Sequence, residues 1–140
     1  DVIVDYREED APRLAESFRR QSFQVSAEDL QAARAEGAHC TVHDRLSAFR
    51  VDVAPAARPR TKDAIRHSVK VRWRRTTLPI ADPEHTIVMK LVYGSGQDVE
   101  DALGIVVRQL RRLKTRRMRE FANRQGVLKA LQELERSAKL

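Results

Sequence analysis

The sequence predicts an α/β (α+β) fold in which a mixed sheet is flanked by helices and followed by a C-terminal helical segment. Up to residue 81, short β-branched runs alternate with segments whose apolar residues recur at helical spacing. From residue 82 onward the apolar patterns are helical and follow capping residues. The 140-residue length suits one domain. We therefore expect an α/β core over residues 1–81 and a helical part of the same domain over residues 82–140.

The first elements are predicted from DVIVDYREED and the segment after it. Val2-Ile3-Val4 between two aspartates predicts a short buried strand. Because such a strand is normally entered from a turn or helix, we expect the core to lack its first helix and the start of this strand. Helical spacing predicts a helix from Glu8 to Gln21, and Phe23-Gln24-Val25 is predicted to be extended. Ser26 predicts the N-cap of another helix, which ends at Gly37.

A hairpin is predicted next, because two alternating runs flank a polar turn. The runs are Cys40 to His43 and Ala48 to Val53. In the second run, the alternation places Asp52 on the face opposite the valines. A Pro/Ala loop over residues 54–60 follows, and Thr61 can cap a short helix through Ile65.

A second strand pair and a set of capped helices complete the predicted fold. Val69 to Trp73 and Thr76 to Ile80 alternate as strands, with Trp73 expected to be a core anchor. Asp82-Pro83-Glu84 is a strong helix start. After a glycine loop, Asp98 opens a helix whose inward apolar residues are predicted to be Val99, Leu103, Val106, Val107 and Leu110. Two more helices are predicted on either side of residues 123–126.

The net charge of +7 is concentrated at the C-terminal end. Residues 108–140 carry eleven Lys and Arg against three Glu, which leaves residues 1–107 with 16 cations against 17 anions. Such a tail either binds a polyanion such as RNA or forms a solvated helical face, and composition alone does not separate the two. The candidate RNA-binding residues are Arg111, Arg112, Lys114, Arg116 and Arg117.

The single cysteine excludes an intramolecular disulfide. Without an apolar signal segment or membrane span, the simplest predicted location is cytoplasmic, with no membrane partner. Cys40 with His39 and His43 could be read as a metal or nucleophile site. Their alternation favours a half-buried strand cysteine instead.

A group of three charged residues in the helical part has two interpretations. Asp98 and Asp101 are three residues apart, so they share one helix face, and Lys90 precedes them by one glycine loop. The lysine could form an ordinary salt bridge with the two acids. It could also be a phosphate-binding lysine held in place by them, and spacing alone does not decide.

The segment LPIADPEHTIVMKLVYGSGQDVEDALGIV (Leu78 to Val106) resembles the C-terminal signature of nucleotidyltransferase-fold proteins of the AbiEii toxin type. The shared features are a Pro-Glu helix start, a Lys-Leu pair, a glycine loop and an Asp-x-x-Asp pair. They correspond here to Pro83-Glu84, Lys90-Leu91, Gly94 and Asp98 to Asp101. Upstream, the family has an apolar strand carrying Asp-x-Asp, then a helix, a turn similar to Ser22 to Val25, and a hairpin with another acid.

The resemblance implies specific roles for five residues. Asp1 resembles the second acid of the Asp-x-Asp pair and Asp52 the third carboxylate, which would make both catalytic metal ligands for Mg²⁺ or Mn²⁺. Lys90 would be a catalytic phosphate-charge partner, with Asp98 and Asp101 positioning it, the nucleotide or the acceptor. The implied substrate is a nucleoside triphosphate (NTP).

The implied activity is metal-dependent transfer of a nucleotidyl group from the NTP to an acceptor such as tRNA. A toxin or phage-defence role with a cognate antitoxin protein is consistent with this family. The alternative is a noncatalytic RNA- or partner-binding module on a degenerate form of the same fold.

Overall fold

A computed structural model describes residues 1–138, so Lys139 and Leu140, at the end of the predicted helical part, lie outside the described residues. The chain divides into two compact units, Asp1–Arg66 and His67–Leu140. The predicted α/β class is confirmed, with a mixed four-stranded sheet, a separate two-stranded sheet and flanking helices among the described residues.

The first unit contains the mixed sheet. Its strands are β1 (Val2–Val4), β2 (Phe23–Gln24), β3 (Cys40–Asp44) and β4 (Arg50–Pro55). Its helices are α1 (Ala11–Arg20), preceded by a 3₁₀ turn, α2 (Ala27–Glu36) and α3 (Pro59–Arg66). The strand order is β1-β4-β3-β2, with β1 parallel to β4 and the other pairs antiparallel.

The core of this unit joins α1 and α2 to the apolar side chains of β3 and β4. Leu30 of α2 packs in one cluster with Val42 and Val53, and all three are fully buried. The hydroxyl of Tyr6 donates a 2.7 Å hydrogen bond to the carbonyl of Leu30, which satisfies the buried polar group. Ser26 caps α2 as predicted, by accepting a hydrogen bond from the backbone N–H of the residue three positions later.

The second unit consists of a hairpin and a helical bundle. The hairpin strands are β5 (Val69–Trp73) and β6 (Thr76–Ile80), with the predicted bounds. The helices are α4 (Pro83–Tyr93), α5 (Gly96–Gln109), α6 (Thr115–Arg124) and α7 (Leu128–Ser137). The hairpin therefore falls in the second compact unit, whereas the sequence placed it in the core over residues 1–81.

Buried polar groups fix the start of α4 to the start of α6. Asp82 caps α4 by accepting a 2.7 Å hydrogen bond from the His85 backbone N–H, and it forms an ion pair with Arg117. Glu84 accepts a 2.6 Å hydrogen bond from the backbone N–H of Lys114. Because these carboxylates are almost fully buried, each depends on such a partner.

The starts of two helices differ from prediction. Ser95 caps the helix after the glycine loop, so α5 begins at Gly96 rather than at Asp98. The predicted cap at Thr61 is wrong, because α3 begins at Pro59. A proline is tolerated in the first helical turn, where its missing N–H has no intrahelical partner to lose.

Three predictions about burial are also wrong. Val2 and Ile3 are 42% and 38% exposed, so β1 is not a buried strand. Val99, Val107 and Leu110 are exposed, because α5 turns Ala102 and Val106 toward the core. Trp73 is 60% exposed and is not a core anchor. All residues of β5 and β6 are exposed, so there is no core at the hairpin for the indole to enter.

Among residues 1–138, the helices are all too short or too polar to cross a membrane.

Replacing Leu30 by alanine should lower the free energy of unfolding by about 2–5 kcal/mol, because it leaves a cavity in the core of the first unit. The matched control is Leu46→Ala, in the β3–β4 turn, where the side chain is 81% exposed and the effect should stay within about 0.5 kcal/mol. Urea unfolding followed by circular dichroism measures both. Equal effects would contradict the described core.

Candidate functional site

The pairing of β1 with β4 places Asp1 beside Asp52. These aspartates directly precede Val2 and Val53, which are register partners on the two parallel strands. Asp1 lies one residue before β1, next to Asp52 across this pairing, and the side chain of Asp52 projects to one face of the sheet. It is the face opposite Val51 and Val53, which pack into the core. The predicted orientation of Asp52 is confirmed.

Thr41, in the neighbouring strand β3, holds Asp52 from the other side. The two residues are register partners, and the Thr41 hydroxyl donates a 2.6 Å hydrogen bond to Asp52 Oδ1. This hydrogen bond is the main cause of a lowered pKa of Asp52, and His39 and Arg50 lower that pKa further. Asp52 is therefore ionised at neutral pH.

The two carboxylates keep oxygens available for a ligand. Asp52 Oδ2 and the side chain of Asp1 have no hydrogen-bond or ion-pair partner among residues 1–138. A shallow depression of about 420 Å³ opens on the same unit, lined in part by Thr41, His43 and Arg19. Asp1 and Asp52 are not among its lining residues.

The donor set suits one kind of metal site and not another. Within residues 1–138, no group of three or more His, Cys, Asp or Glu side chains is placed to enclose a metal ion. Mg²⁺, however, is commonly bound by one or two carboxylates together with waters and substrate phosphates. Asp1 and Asp52 fit that second arrangement, in which the substrate completes the coordination.

Lys90 forms a salt bridge with both predicted partners. Its Nζ lies 2.8 Å from Asp101 Oδ2 and 3.3 Å from Asp98 Oδ1. The remaining oxygens accept hydrogen bonds from Ser95 Oγ at 2.6 Å and Gln97 Nε2 at 3.0 Å. All four oxygens of the two carboxylates therefore have donors, and the cluster carries a net charge of −1.

The pKa shifts in this cluster agree with its geometry. The hydrogen bond to Asp101, and then that to Asp98, raises the pKa of Lys90. The pKa of Asp98 is lowered, first by Ser95, and that of Asp101 is lowered, first by Lys90. The lysine and both acids are therefore all ionised at neutral pH.

The five predicted site residues form two groups. Asp1 and Asp52 belong to the first unit, and Lys90, Asp98 and Asp101 to the second, and each group is assembled within its own unit. Sequence reasoning did not identify Thr41 as a partner of Asp52. The sequence feature that could have identified Thr41 is the register of the β3–β4 hairpin, which pairs the two residues once the turn length is known.

The predicted RNA-binding residues differ in whether they form ion pairs within the protein. Arg117 is paired with buried Asp82, and Arg116 forms only a highly exposed pair with Glu120 at 3.6 Å. Three cations in the α5–α6 connection are exposed and form no ion pair with any residue among 1–138. They are Arg111, Arg112 and Lys114.

Cys40 is a buried strand residue, as the alternation favoured. Burial raises the pKa of its thiol above the usual range, which disfavours the nucleophilic thiolate.

Comparisons with protein-family models, curated proteins and solved structures give no match to this chain. The resemblance of Leu78 to Val106 to AbiEii-type proteins therefore stays a prediction from its motifs.

Thr41→Val should raise the pKa of Asp52 toward the ordinary aspartate value, because it removes the hydroxyl donor and keeps the side-chain shape. Thr41→Ser is the control, since it keeps the donor and should keep the pKa low. Carboxyl ¹³C NMR titration measures both. A pKa that Thr41→Val leaves unchanged would exclude this hydrogen bond as its main determinant.

Proposed function

We propose that the protein is a metal-dependent nucleotidyltransferase that transfers a nucleotidyl group from an NTP to an RNA acceptor such as tRNA. The observation that carries the proposal is the register of β1 and β4, which sets Asp1 next to Asp52, whose side chain projects from the face opposite the core. Two adjacent carboxylates with available oxygens suit a hard cation shared with phosphates. The resemblance to AbiEii-type proteins supports the same assignment.

In the proposed reaction, Asp1 and Asp52 hold Mg²⁺ or Mn²⁺ together with the triphosphate. The bound ion would supply charge neutralisation on the phosphates and a more acidic attacking hydroxyl. Thr41 keeps Asp52 ionised and fixes one of its oxygens, so that the other is available as a ligand. The acceptor oxygen bonds to the α-phosphorus, the bond to the β-phosphate oxygen breaks, pyrophosphate leaves, and the hydroxyl proton passes to solvent.

The resemblance alone supports a contribution of Lys90, which would supply positive charge to a phosphate, with Asp98 and Asp101 as positioning residues. The cluster has a net negative charge, so a phosphate approaching Lys90 must compete with two carboxylates for its ammonium. Asp98 and Asp101 would then hold the lysine until the nucleotide binds. A cytoplasmic location and a cognate antitoxin partner belong to the same proposal.

Asp52→Asn should reduce nucleotidyl transfer by roughly a hundredfold or more, because it removes a charged metal ligand without changing side-chain size. The assay supplies each α-labelled NTP in turn, with Mg²⁺ or Mn²⁺ and total RNA, and follows label on the RNA. Glu28→Gln, on the exposed first turn of α2, removes one negative charge from the same unit and should retain activity. Label transfer that survives Asp52→Asn would refute the proposed site.

A second candidate function is RNA binding without catalysis, and the charge distribution favours it specifically. Residues 67–140 carry 16 Lys and Arg against 8 Asp and Glu, whereas residues 1–66 carry 11 against 12. The unpaired cations Arg111, Arg112 and Lys114 are concentrated in one connection of the second unit. In the first proposal this connection binds the acceptor RNA, and in the second it is the functional surface itself.

The double variant Arg111→Gln/Arg112→Gln should weaken RNA binding and reduce the slope of log K against log salt by about one for each lost phosphate contact. Fluorescence anisotropy with labelled tRNA over a salt series measures it. The matched control is Arg13→Gln/Arg45→Gln, which removes two exposed, unpaired cations from the first unit.

Equal loss in both double variants would show that net charge, not this connection, determines binding. RNA binding without label transfer from any NTP would favour the noncatalytic module.

A further inference from the structure

The β5–β6 hairpin separates apolar from polar side chains. Its register pairs Val69 with Ile80, Val71 with Leu78 and Trp73 with Thr76. Cross-strand partners project to the same side of a sheet, so one side is almost entirely apolar. We call this side the hairpin face, and its apolar members are Val69, Val71, Trp73, Leu78 and Ile80.

The hairpin face is open to solvent. Its five apolar side chains are 39–60% exposed, with the indole of Trp73 the most exposed. A two-stranded hairpin is marginally stable in water unless further strands or a helix cover its apolar side. Contiguous exposed apolar residues with a polar rim commonly mark a protein interaction site.

The charges around this face have one sign. Lys70 and Arg72 project from the opposite side of β5, and Arg74 and Arg75 form the turn. Residues 67–81 contain no acid, and none of the four cations forms an ion pair within the described part of the chain. A partner that supplies negative charge is therefore electrostatically complementary to this hairpin.

The two edges of the hairpin differ as templates for another strand. Pro79 in β6 lacks a backbone N–H, and proline is tolerated where a strand edge has no ladder to complete. The strand β5 contains no proline, so its edge has the backbone groups needed for pairing. A strand that adds to β5 places alternate side chains on the two sides of the sheet.

We propose that the β5 edge binds an extended acidic protein segment by strand addition. The segment alternates apolar and acidic residues. Its apolar side chains extend the hairpin face next to Val71 and Trp73, and its acids lie on the opposite side next to Lys70 and Arg72. This site goes beyond the proposed nucleotidyl transfer and uses none of its residues.

Other occupants fit these observations less well. A second copy that paired antiparallel through β5, centred on Val71, would set Lys70 of each copy opposite Arg72 of the other with no acid between them. Single-stranded RNA is bound through stacked aromatic side chains, and the hairpin face has only Trp73 among aliphatic residues. An extended acidic segment satisfies both the alternation and the charge.

The test uses Trp73, the only tryptophan of the chain, as the reporter. The probe is a short synthetic peptide in which valine alternates with glutamate, added to the full chain. Saturable binding with a blue shift of tryptophan emission, weakened by salt, is expected. There are two control peptides. In one, lysine replaces glutamate, and the other is the valine–glutamate peptide with alternate backbone amides methylated. Neither should bind, because they lack the charge and the backbone donors respectively.

Arg72→Glu should weaken peptide binding by about tenfold or more, because it places a like charge beside the peptide acids. The control Arg13→Glu makes the same charge change in the first unit and should leave binding almost unchanged.

Several results would overturn the proposal. One is a tryptophan emission maximum typical of a buried indole in the free protein. The others are no binding of the valine–glutamate peptide and equal binding of its methylated form. A comparable shift with poly-U RNA or phosphatidylglycerol vesicles, or Trp73 burial by self-association in sedimentation equilibrium, would assign the face to another partner.

Discussion

The parallel register between β1 and β4 is the constraint on which the candidate site depends. Side chains alternate along a strand, so a shift of β4 by one residue would bury Asp52 and expose Val53. The packing of Val53 with Leu30 and Val42 excludes that shift, because an unpaired carboxylate in an apolar core is very costly. The same register therefore sets Asp52 beside Asp1 on one strand and beside Thr41 on the other.

The two acidic groups of the molecule differ in how completely they are satisfied. In the second unit, the oxygens of Asp98 and Asp101 are all occupied by Lys90, Ser95 and Gln97, which ties the end of α4 to the start of α5. Burial of Asp82 similarly requires Arg117, so one predicted RNA-binding arginine is committed to the α4–α6 junction. Of the predicted RNA-binding residues, Arg111, Arg112 and Lys114 in the connection before α6 have no ion pair among residues 1–138.

Local signals predicted the elements well, because capping and alternation are encoded over a few residues. Ser26 with Gly37 bounded α2, Asp82 began α4, and the alternation predicted both strands of the second hairpin. The errors concern which apolar faces of the strands and helices are buried by other elements. Trp73 has the pattern of a core residue, yet whether an apolar face is buried depends on an element distant in sequence. The parallel pairing that joins Asp1 to Asp52 is long-range for the same reason.

The candidate acids differ in how many of their carboxylate oxygens accept hydrogen bonds. A carboxylate whose oxygens all have donors keeps fewer free lone pairs for a cation, as at Asp98 and Asp101. Asp52 differs, because Thr41 occupies one oxygen, lowers the pKa and leaves the other oxygen available. All of these acids are candidate site residues in the sequence, but their hydrogen bonding differs. Asp98 and Asp101 hold a lysine and a helix junction in place, whereas Asp52 keeps one oxygen without a hydrogen-bond partner among residues 1–138.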